Sequence, residues 1–394
     1  MTMNVQRTSR LTVALCLSLL FLAPAIAQEP DSTVDYLALA SLMLRDGNLD
    51  RAMTALDQVD LEAEGVDLVR YHTLRGMTFM RREDSGRARE AFDDAVLAGE
   101  RQQEGGVDVV VFVYLAQVNY RLEDYAGAIA ALDRAGEAVA RIPSVYHMRA
   151  QAHWLLGEKV EAIAVLDQAS QIFPDDATFQ RRKVFYLVDL GLFKEAVVQG
   201  KAYLERSEGM EQDYIALGNA LRASGELDEA ALFMEQAQLL FPGSSDVKKV
   251  LAHVYIDRGE TSAAADLLYG AALLNPDLLP EAAELYRRAG QPFRAMNLNG
   301  QIVDQTEKLR QRLALYLELG NYEQAAAMEI PLRRVGLLAE EDLRYAVAYS
   351  HFKTGQFSLA EQHLAQLTRP DLFRKAAELR RAIQDCAEDR WKCL

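Results

Sequence analysis

The chain has 394 residues, half of them hydrophobic, with a formal net charge of −15. This excess of acidic residues excludes nucleic acid as a general partner, because phosphate binding requires a basic surface. It also disfavours adsorption on an anionic membrane surface. The length would fit two or three ordinary domains, but it sets no domain count if the chain is a repeat array.

The first 27 residues have the pattern of a secretory signal peptide. Arg7 and Arg10 precede an apolar run at 11–22, and the small-residue sequence Ala-Ile-Ala follows at 25–27. The run is too short for a stable membrane span, which needs about 20 apolar residues. We therefore expect residues 1–27 to be a signal peptide that is cleaved after Ala27, with an uncleaved anchor as the alternative.

A helix–turn–helix pattern is clearest in the stretch "DYIALGNALRASGELDEAALFMEQAQLLFPGS". Small residues at Gly218 and Ala230 allow two helices to approach closely, and larger apolar residues fill the surrounding space. Gly225 is placed to end the first helix in a left-handed turn, and Pro242 to stop the second. This spacing resembles the tetratricopeptide repeat, a unit of about 34 residues.

The small residue that opens each second helix recurs along the chain. It is found at Ala52, Ala88, Ala128, Ala162, Ala196, Ala230, Ala264, Ala295, Ala325 and Ala360, in steps of 36, 40, 34, 34, 34, 34, 31, 30 and 35 residues. The resemblance implies an all-α, right-handed solenoid of about ten such units with a C-terminal capping helix. We assign residues 28–374 to the solenoid, and 375–394 to the capping helix and tail.

Two stretches depart from the repeat pattern. The β-branched sequence "VDVVVFVYLA" at 107–116 favours a strand by local propensity, but a lone strand in a helical array would have no pairing partner, so we expect a helix. In the short eighth and ninth units, Asn299 and Glu329 stand where an apolar residue is expected. These two polar residues predict either loose packing or a change of curvature, with a hinge near 276–310.

Motifs for catalysis or cofactor binding are not evident. The six histidines form no His-Glu-x-x-His pair, and the chain has no nucleophile elbow, no P-loop and no dinucleotide fingerprint. The 58 acidic residues are expected to lie mostly on solvated helix faces. We therefore predict no enzymatic activity, no cofactor and no metal site.

The resemblance also implies a partner-binding groove, because the first helices of tetratricopeptide units line a concave face that binds peptides. Carried over position by position, this face comprises Met77, Arg81, Gln117, Tyr120, Arg121, His147, Gln151, Trp154, Arg181, Phe185, Asn219, Arg222, Lys249 and His253. It would be aromatic and cationic, the composition of binding hot spots. Alternatively, Arg81 and Arg121 interact with helix C-termini, and Trp154 packs between hairpins.

Some members of the family bind the C-terminal carboxylate of a peptide with Lys, Asn and Arg side chains from three successive first helices. Arg181, Asn219 and Lys249 match that set, whereas Phe185 and His253 depart from it. A complete set of polar contacts to a carboxylate is therefore in doubt. The broader expectation is a groove that prefers acidic or carboxylate-bearing segments.

The tail carries the only two cysteines that remain after signal cleavage, since Cys16 leaves with the signal peptide. In an oxidising compartment, Cys386 and Cys393 are expected to form a disulfide. On a continuous helix they would be about 10.5 Å apart along the axis, beyond the roughly 7 Å limit for a bridge, so the chain must turn between them. Two cysteines without a nearby histidine are too few for a closed zinc site.

The resemblance implies a non-catalytic scaffold or adaptor that binds protein or peptide partners in the envelope, in the periplasm of a Gram-negative bacterium. The tail around Trp391 and Cys393 also resembles repeat proteins associated with TonB–ExbB–ExbD energy-transduction systems. A periplasmic peptide-binding chaperone and a scaffold of a polysaccharide-export assembly are the alternatives. No membrane span is expected after signal cleavage.

Overall fold

The computed structural model of the protein describes residues 34–101 and 106–388. The α-helices are α1 Tyr36–Arg45, α2 Leu49–Leu56, α3 Leu68–Arg81, α4 Ser85–Arg101, α5 Val109–Arg121, α6 Tyr125–Ala135, α7 Pro143–Leu156, α8 Lys159–Ile172, α9 Thr178–Asp189, α10 Phe193–Leu204, α11 Glu211–Ser224, α12 Leu227–Leu240, α13 Ser245–Asp257, α14 Thr261–Ala272, α15 Leu279–Arg288, α16 Pro292–Gln301, α17 Gln305–Glu318, α18 Tyr322–Ala327, α19 Glu329–Arg334, α20 Glu341–Lys353, α21 Phe357–Leu364 and α22 Pro370–Glu388. Short 3₁₀ turns lie at Gly136–Val139, Pro276–Leu278 and Leu337–Ala339. The expected signal peptide lies outside the described residues.

The helices pair in chain order into hairpins, α1 with α2 through α20 with α21, and α19 is a short addition to the pair α17 and α18. The fourth residue of every second helix is one of the ten alanines named above, and each of them has no exposed surface. A larger side chain there would separate the two helices, since cores are close-packed. The predicted all-α solenoid is confirmed.

The chain divides into two compact units, one ending at Ala138 and the other beginning at Val139. In the first, α1 to α6 form three hairpins, and the strand-like stretch lies almost entirely in α5. Asp108 accepts a hydrogen bond from the Val110 amide, which begins that helix, and Val111 and Ala116 have no exposed surface. Burial therefore overrides the local β propensity, as expected.

The second unit holds the remaining hairpins and α22. Its first helices α7 and α11 end at Gly157 and Gly225, with φ of +86° and +83°. This left-handed conformation suits glycine, as the sequence predicted for Gly225. None of the described helices is both long enough and apolar enough to span a bilayer.

Asn299, expected to mark loose packing, is instead part of a buried polar network. Its side chain has no exposed surface; Oδ1 accepts a hydrogen bond from Arg312 Nε at 2.6 Å, and Nδ2 donates to the Lys308 carbonyl at 2.9 Å. Its neighbours Leu298 and Ile302 belong to an apolar cluster whose members lie between Ala252 and Leu315. Loose packing at Asn299 is therefore wrong, because hydrogen bonds replace the expected apolar contact. The hinge near 276–310 stays a prediction.

The last described helix, α22, covers the apolar end of the tenth hairpin. Leu372, Ala376 and Leu379 are buried in one cluster with Ala348 and Leu364. Such a cap is what a solenoid needs at its end. Near the end of α22, Cys386 is buried. The residue expected to bridge with it, Cys393, lies outside the described residues.

Candidate binding surface

The predicted groove residues lie on six first helices, α3, α5, α7, α9, α11 and α13. Several of them converge on an open pocket of about 490 Å³ between α7 and α9, which we call the α7–α9 pocket. Its lining is His147, Gln151, Thr178, Arg181, Arg182, Phe185 and Tyr186. Four of these seven residues were predicted from the sequence.

Stacked aromatic rings join the two helices of this pocket. His147 stacks on the buried Phe179 with centroids 4.1 Å apart, and Trp154 stacks on Tyr186 at 3.8 Å. The Lys159 ammonium lies 3.7 Å from the centroid of the Trp154 ring. Trp154 therefore packs between neighbouring hairpins, which is the alternative that the sequence left open. It covers one face of Tyr186, which lines the pocket.

Hydrogen bonds orient the polar side chains of the pocket. Arg182 donates to Gln151 Oε1 at 2.5 Å, and His147 Nε2 lies 3.0 Å from Thr178 Oγ1. Both contacts join a residue of α7 to one of α9. The α7–α9 pocket thus combines aromatic surface with fixed polar groups, a composition suited to a peptide segment.

Beside the pocket, Arg181 forms an ion pair with a buried carboxylate. Its Nε donates to Asp213 Oδ1 at 2.6 Å, and Asp213 is 3 % exposed. Asp213 Oδ2 also accepts from the Met210 amide at 2.8 Å and from the Tyr203 hydroxyl at 3.2 Å. The Arg181 guanidinium carbon lies 5.1 Å from the ring centroid of Phe185. Arg181 is therefore held in place by α11 and contributes a cation–π contact to the pocket.

Three more of the predicted basic residues of the second unit are paired with acids, which are more exposed than Asp213. Arg222 lies 3.5 Å from the Asp257 carboxylate, while His253 and Lys249 lie 2.9 and 3.8 Å from Glu281. We call these contacts between consecutive first helices, with that of Arg181, the cross-hairpin pairs. The expectation of a cationic face is wrong at these four residues, because each of them meets an acid of the next hairpin.

These ion pairs leave little room for the expected binding of a peptide carboxylate. Arg181, Lys249 and His253 all face acidic side chains, and Asn219 is half-buried on α11. A carboxylate placed among them would have to displace an acid that is already hydrogen-bonded or paired. The preference for acidic segments is therefore not supported by the charges around these residues.

In the first unit, the predicted residues serve several purposes. Met77 packs against the core of the first hairpin, and Arg81 donates to the Leu44 carbonyl oxygen at the end of α1. This contact satisfies a helix C-terminus in the preceding hairpin. Tyr120 makes an edge contact with Tyr125 at 5.4 Å. Gln117 is half-buried and Arg121 is exposed on α5.

Sequence reasoning missed Thr178, Arg182 and Tyr186 in the pocket, and the acids of the cross-hairpin pairs. An acid about one repeat after a first-helix cation was the available signal, since Asp213 follows Arg181 by 32 residues and Glu281 follows His253 by 28. Such a pattern becomes informative only once the repeat length is known.

The stability of the folded chain should depend on pH through His147. Burial lowers its pKa below the usual 6.5, Arg182 lowers it further, and Asp176 acts in the opposite direction. Since the unfolded chain then binds more protons in acid, the contribution to stability is complete above about pH 6.5 and is lost as the pH falls through the folded-state pKa.

Replacing His147 with glutamine should therefore reduce the slope of the unfolding free energy against pH below about pH 6.5. Part of the slope should remain, because burial also lowers the pKa of His72 and His363. Urea denaturation at a series of pH values measures this slope. Above about pH 7.5 the wild type and His147→Gln should have the same slope. An unchanged acid slope in His147→Gln would contradict the prediction.

Comparison with known proteins agrees with the repeat pattern. Tetratricopeptide repeat family models match residues 73–141, 115–177 and 221–289. The C-terminal part of a TPR repeat-containing protein from Cytophaga hutchinsonii is similar in structure, with a TM-score of 0.52, 13 % identity, and coverage of 61 % of this chain and 95 % of that one. No curated protein matches.

Two further solved structures resemble smaller parts of the fold. MamA from AMB-1 is 22 % identical, with a TM-score of 0.38 and coverage of 44 % of this chain and 91 % of that one. A tetratricopeptide repeat protein from Parabacteroides merdae is 13 % identical, with a TM-score of 0.43 and coverage of 60 % and 92 %. The family-model matches confirm tetratricopeptide repeats in the matched segments.

Proposed function

We propose that this chain is a non-catalytic scaffold that binds a protein partner along its first helices, with the α7–α9 pocket as a main contact. The observation that carries the proposal is the convergence of aromatic and hydrogen-bonding side chains on this open pocket. Tetratricopeptide arrays typically act by presenting such surfaces, and their function resides in the site rather than in the fold.

The pocket suits an extended segment with an apolar side chain. Phe185 provides apolar surface beside the largely buried Tyr186, while Gln151 and Arg182 provide polar groups. Arg181 is already neutralised by Asp213, so net positive charge contributes little to recognition. An apolar side chain on the aromatic surface, with polar contacts from the partner backbone to Gln151 or Arg182, fits this lining.

We place the scaffold in the periplasm, with an envelope protein as partner. The support is the signal-peptide pattern at 1–27 and the cysteine pair at 386 and 393, which favours an oxidising compartment. Association with a TonB-type energy-transduction system is a narrower proposal that rests on the tail alone. The alternative of a peptide-binding chaperone predicts many weak ligands in place of one tight partner.

The Phe185→Ala substitution should weaken partner binding by about 30-fold or more, the effect of removing a hot-spot aromatic residue. The partner is first identified by capture from envelope extract on the immobilised chain, and its affinity is then measured by calorimetry. Val160→Ala is the matched control, since Val160 is 77 % exposed and lies on α8, the second helix of its hairpin, outside the α7–α9 pocket. It should bind the partner as the wild type does.

Two outcomes would count against the proposal. Capture of a heterogeneous pool of peptides, with no dominant protein, would favour the chaperone. Equal partner affinity of Phe185→Ala and wild type would remove the α7–α9 pocket from the binding surface. Thermal melting of both variants checks that the fold is intact.

A further inference from the structure

We propose that Glu329, His351 and His363 form a binding site for a divalent transition metal of the zinc class. One ligand atom from each residue lies within 4.8 Å of the other two. Among residues 34–101 and 106–388, no other group of three His, Cys, Asp or Glu side chains comes this close together. The three residues come from α19, α20 and α21, so a bound ion would join three helices at the end of the array.

The two imidazoles flank one carboxylate. Glu329 Oε2 lies 2.9 Å from His351 Nε2, and Glu329 Oε1 lies 3.4 Å from His363 Nε2. The imidazole rings are nearly parallel, with an interplanar angle of 7° and centroids 5.7 Å apart. Both Nε2 atoms therefore approach the same group from neighbouring positions, and a small inward movement would place all three ligands around one ion.

The donor set selects the class of metal. Two imidazole nitrogens and one carboxylate oxygen suit zinc and neighbouring first-row ions, whereas magnesium and calcium prefer oxygen ligands alone. Three protein ligands leave a fourth tetrahedral position for water. The repeat pattern had already shown that Glu329 occupies a position of the ninth unit where an apolar residue is expected.

Burial of the cluster argues against a solvated surface contact. His351 and His363 are 4 % and 5 % exposed, and the Glu329 side chain is 16 % exposed. Placing three ionisable side chains in a core is unfavourable unless their polar atoms are satisfied. His363 Nδ1 has no hydrogen-bond partner among the described residues. The proposed ligand atom of His363 is the other ring nitrogen, Nε2, which faces Glu329.

The neighbouring Gln356 orients one ligand. Its Oε1 lies 2.7 Å from His351 Nδ1, so it can accept the Nδ1–H of the neutral imidazole. The Nε2 lone pair then points at the Glu329 carboxylate, and two acceptors face each other. A cation between them satisfies both, and a ligating histidine commonly donates its other N–H to an oxygen in this way. In the alternative without a metal ion, His351 carries a proton on Nε2 and donates it to the Glu329 carboxylate.

The surrounding charges allow the ion to enter. Arg333 is paired with Glu329, but its side chain is 68 % exposed and can turn into solvent. Only the Arg333 side of this pair is exposed, since the Glu329 side chain is 16 % exposed. Arg344 is held by hydrogen bonds to the Leu338 carbonyl and does not contact the carboxylate. A divalent ion would therefore replace Arg333 as the positive partner of Glu329.

The test uses the tag-free protein after dialysis against EDTA. Zinc chloride titration, followed by calorimetry, should give one bound zinc per chain, and saturating zinc should raise the melting temperature by roughly 3–5 °C. Cobalt(II) should give the visible ligand-field absorption of a tetrahedral site. Glu329→Gln and His363→Gln should lose the zinc-dependent rise, and their zinc affinity should fall at least about 100-fold.

Two further variants sharpen the result. Gln356→Ala should weaken zinc about 10- to 100-fold without abolishing binding, since it removes only the orienting contact. His153→Gln is the control, because it removes another histidine–carboxylate contact, that of His153 with Glu158 at 2.7 Å. It should keep the zinc response of the wild type.

The proposal is overturned if the wild-type protein shows no zinc-dependent melting shift, or if Glu329→Gln shows the same shift as wild type. If the three side chains only hydrogen-bond to one another, Glu329→Gln and His363→Gln should melt at lower temperatures than the wild type in the absence of zinc. Zinc should then change the melting temperature of none of these proteins. Should a variant fail to fold, the titration of the wild-type protein still decides, because the site is present there.

Discussion

Replacing Asp213 with alanine is expected to lower the free energy of unfolding by about 3–5 kcal/mol, the usual cost of breaking a buried ion pair. The change leaves Arg181 without its partner and removes the acceptor for the Met210 amide and the Tyr203 hydroxyl. Urea denaturation followed by circular dichroism at 222 nm, the usual helix wavelength, measures the loss. The m-value should be compared as well, because repeat arrays can unfold in parts.

Asp228→Ala is the matched control for this substitution. Asp228 is paired with Arg258 at 3.5 Å, but its side chain is 92 % exposed, so removing it should change the unfolding free energy by less than about 0.5 kcal/mol. If Asp213→Ala were no more destabilising than Asp228→Ala, the cross-hairpin pair of Arg181 would contribute nothing beyond a surface contact.

Asn299→Leu should destabilise the protein by about 2–3 kcal/mol, although it restores the apolar residue that the repeat pattern expects. Leucine removes the acceptor of Arg312 Nε and the second donor to the Lys308 carbonyl, and an unsatisfied buried polar group costs about 1–3 kcal/mol. The same urea denaturation applies.

The matched control is Asn297→Leu on the same helix. Asn297 is exposed, so the change in unfolding free energy should stay within about 0.5 kcal/mol. A stabilised Asn299→Leu would show that the apolar repeat pattern outweighs the hydrogen bonds, and that the network at Asn299 is dispensable.

The fold could be predicted because its determinants are local and periodic. An alanine such as Ala230 is fully buried at the fourth position of each second helix, and this position recurs at nearly constant spacing. Even the β-branched stretch before Leu115 could be assigned to a helix, since the array offered no strand to pair with it. Close packing within each hairpin is thus readable from a single chain.

The charges of the binding surface could not be predicted in the same way. Which acid meets Arg222 or Lys249 depends on the rotation between consecutive hairpins, and the repeat pattern does not specify that rotation. Trp154 was equally ambiguous, because packing and binding residues occupy neighbouring positions on the same helix. The sequence therefore identified the helices of the surface better than its electrostatics.

The cluster at Glu329 was hidden for a related reason. His351 and His363 belong to the two helices of one hairpin, and Glu329 comes from the helix before it, so no short motif contains all three. Motif searches detect ligands on one helix or one loop. Only the placement of α19 against α20 and α21 brings these side chains together.

The cross-hairpin pairs have a consequence for how the second unit acquires its structure. Arg181 and Asp213 are 32 residues apart, and His253 and Glu281 are 28 residues apart. Such short separations keep the entropy of loop closure small and favour fast folding. Each pair can form as soon as the following hairpin is available, so the unit can assemble stepwise, in the order in which its hairpins emerge during synthesis.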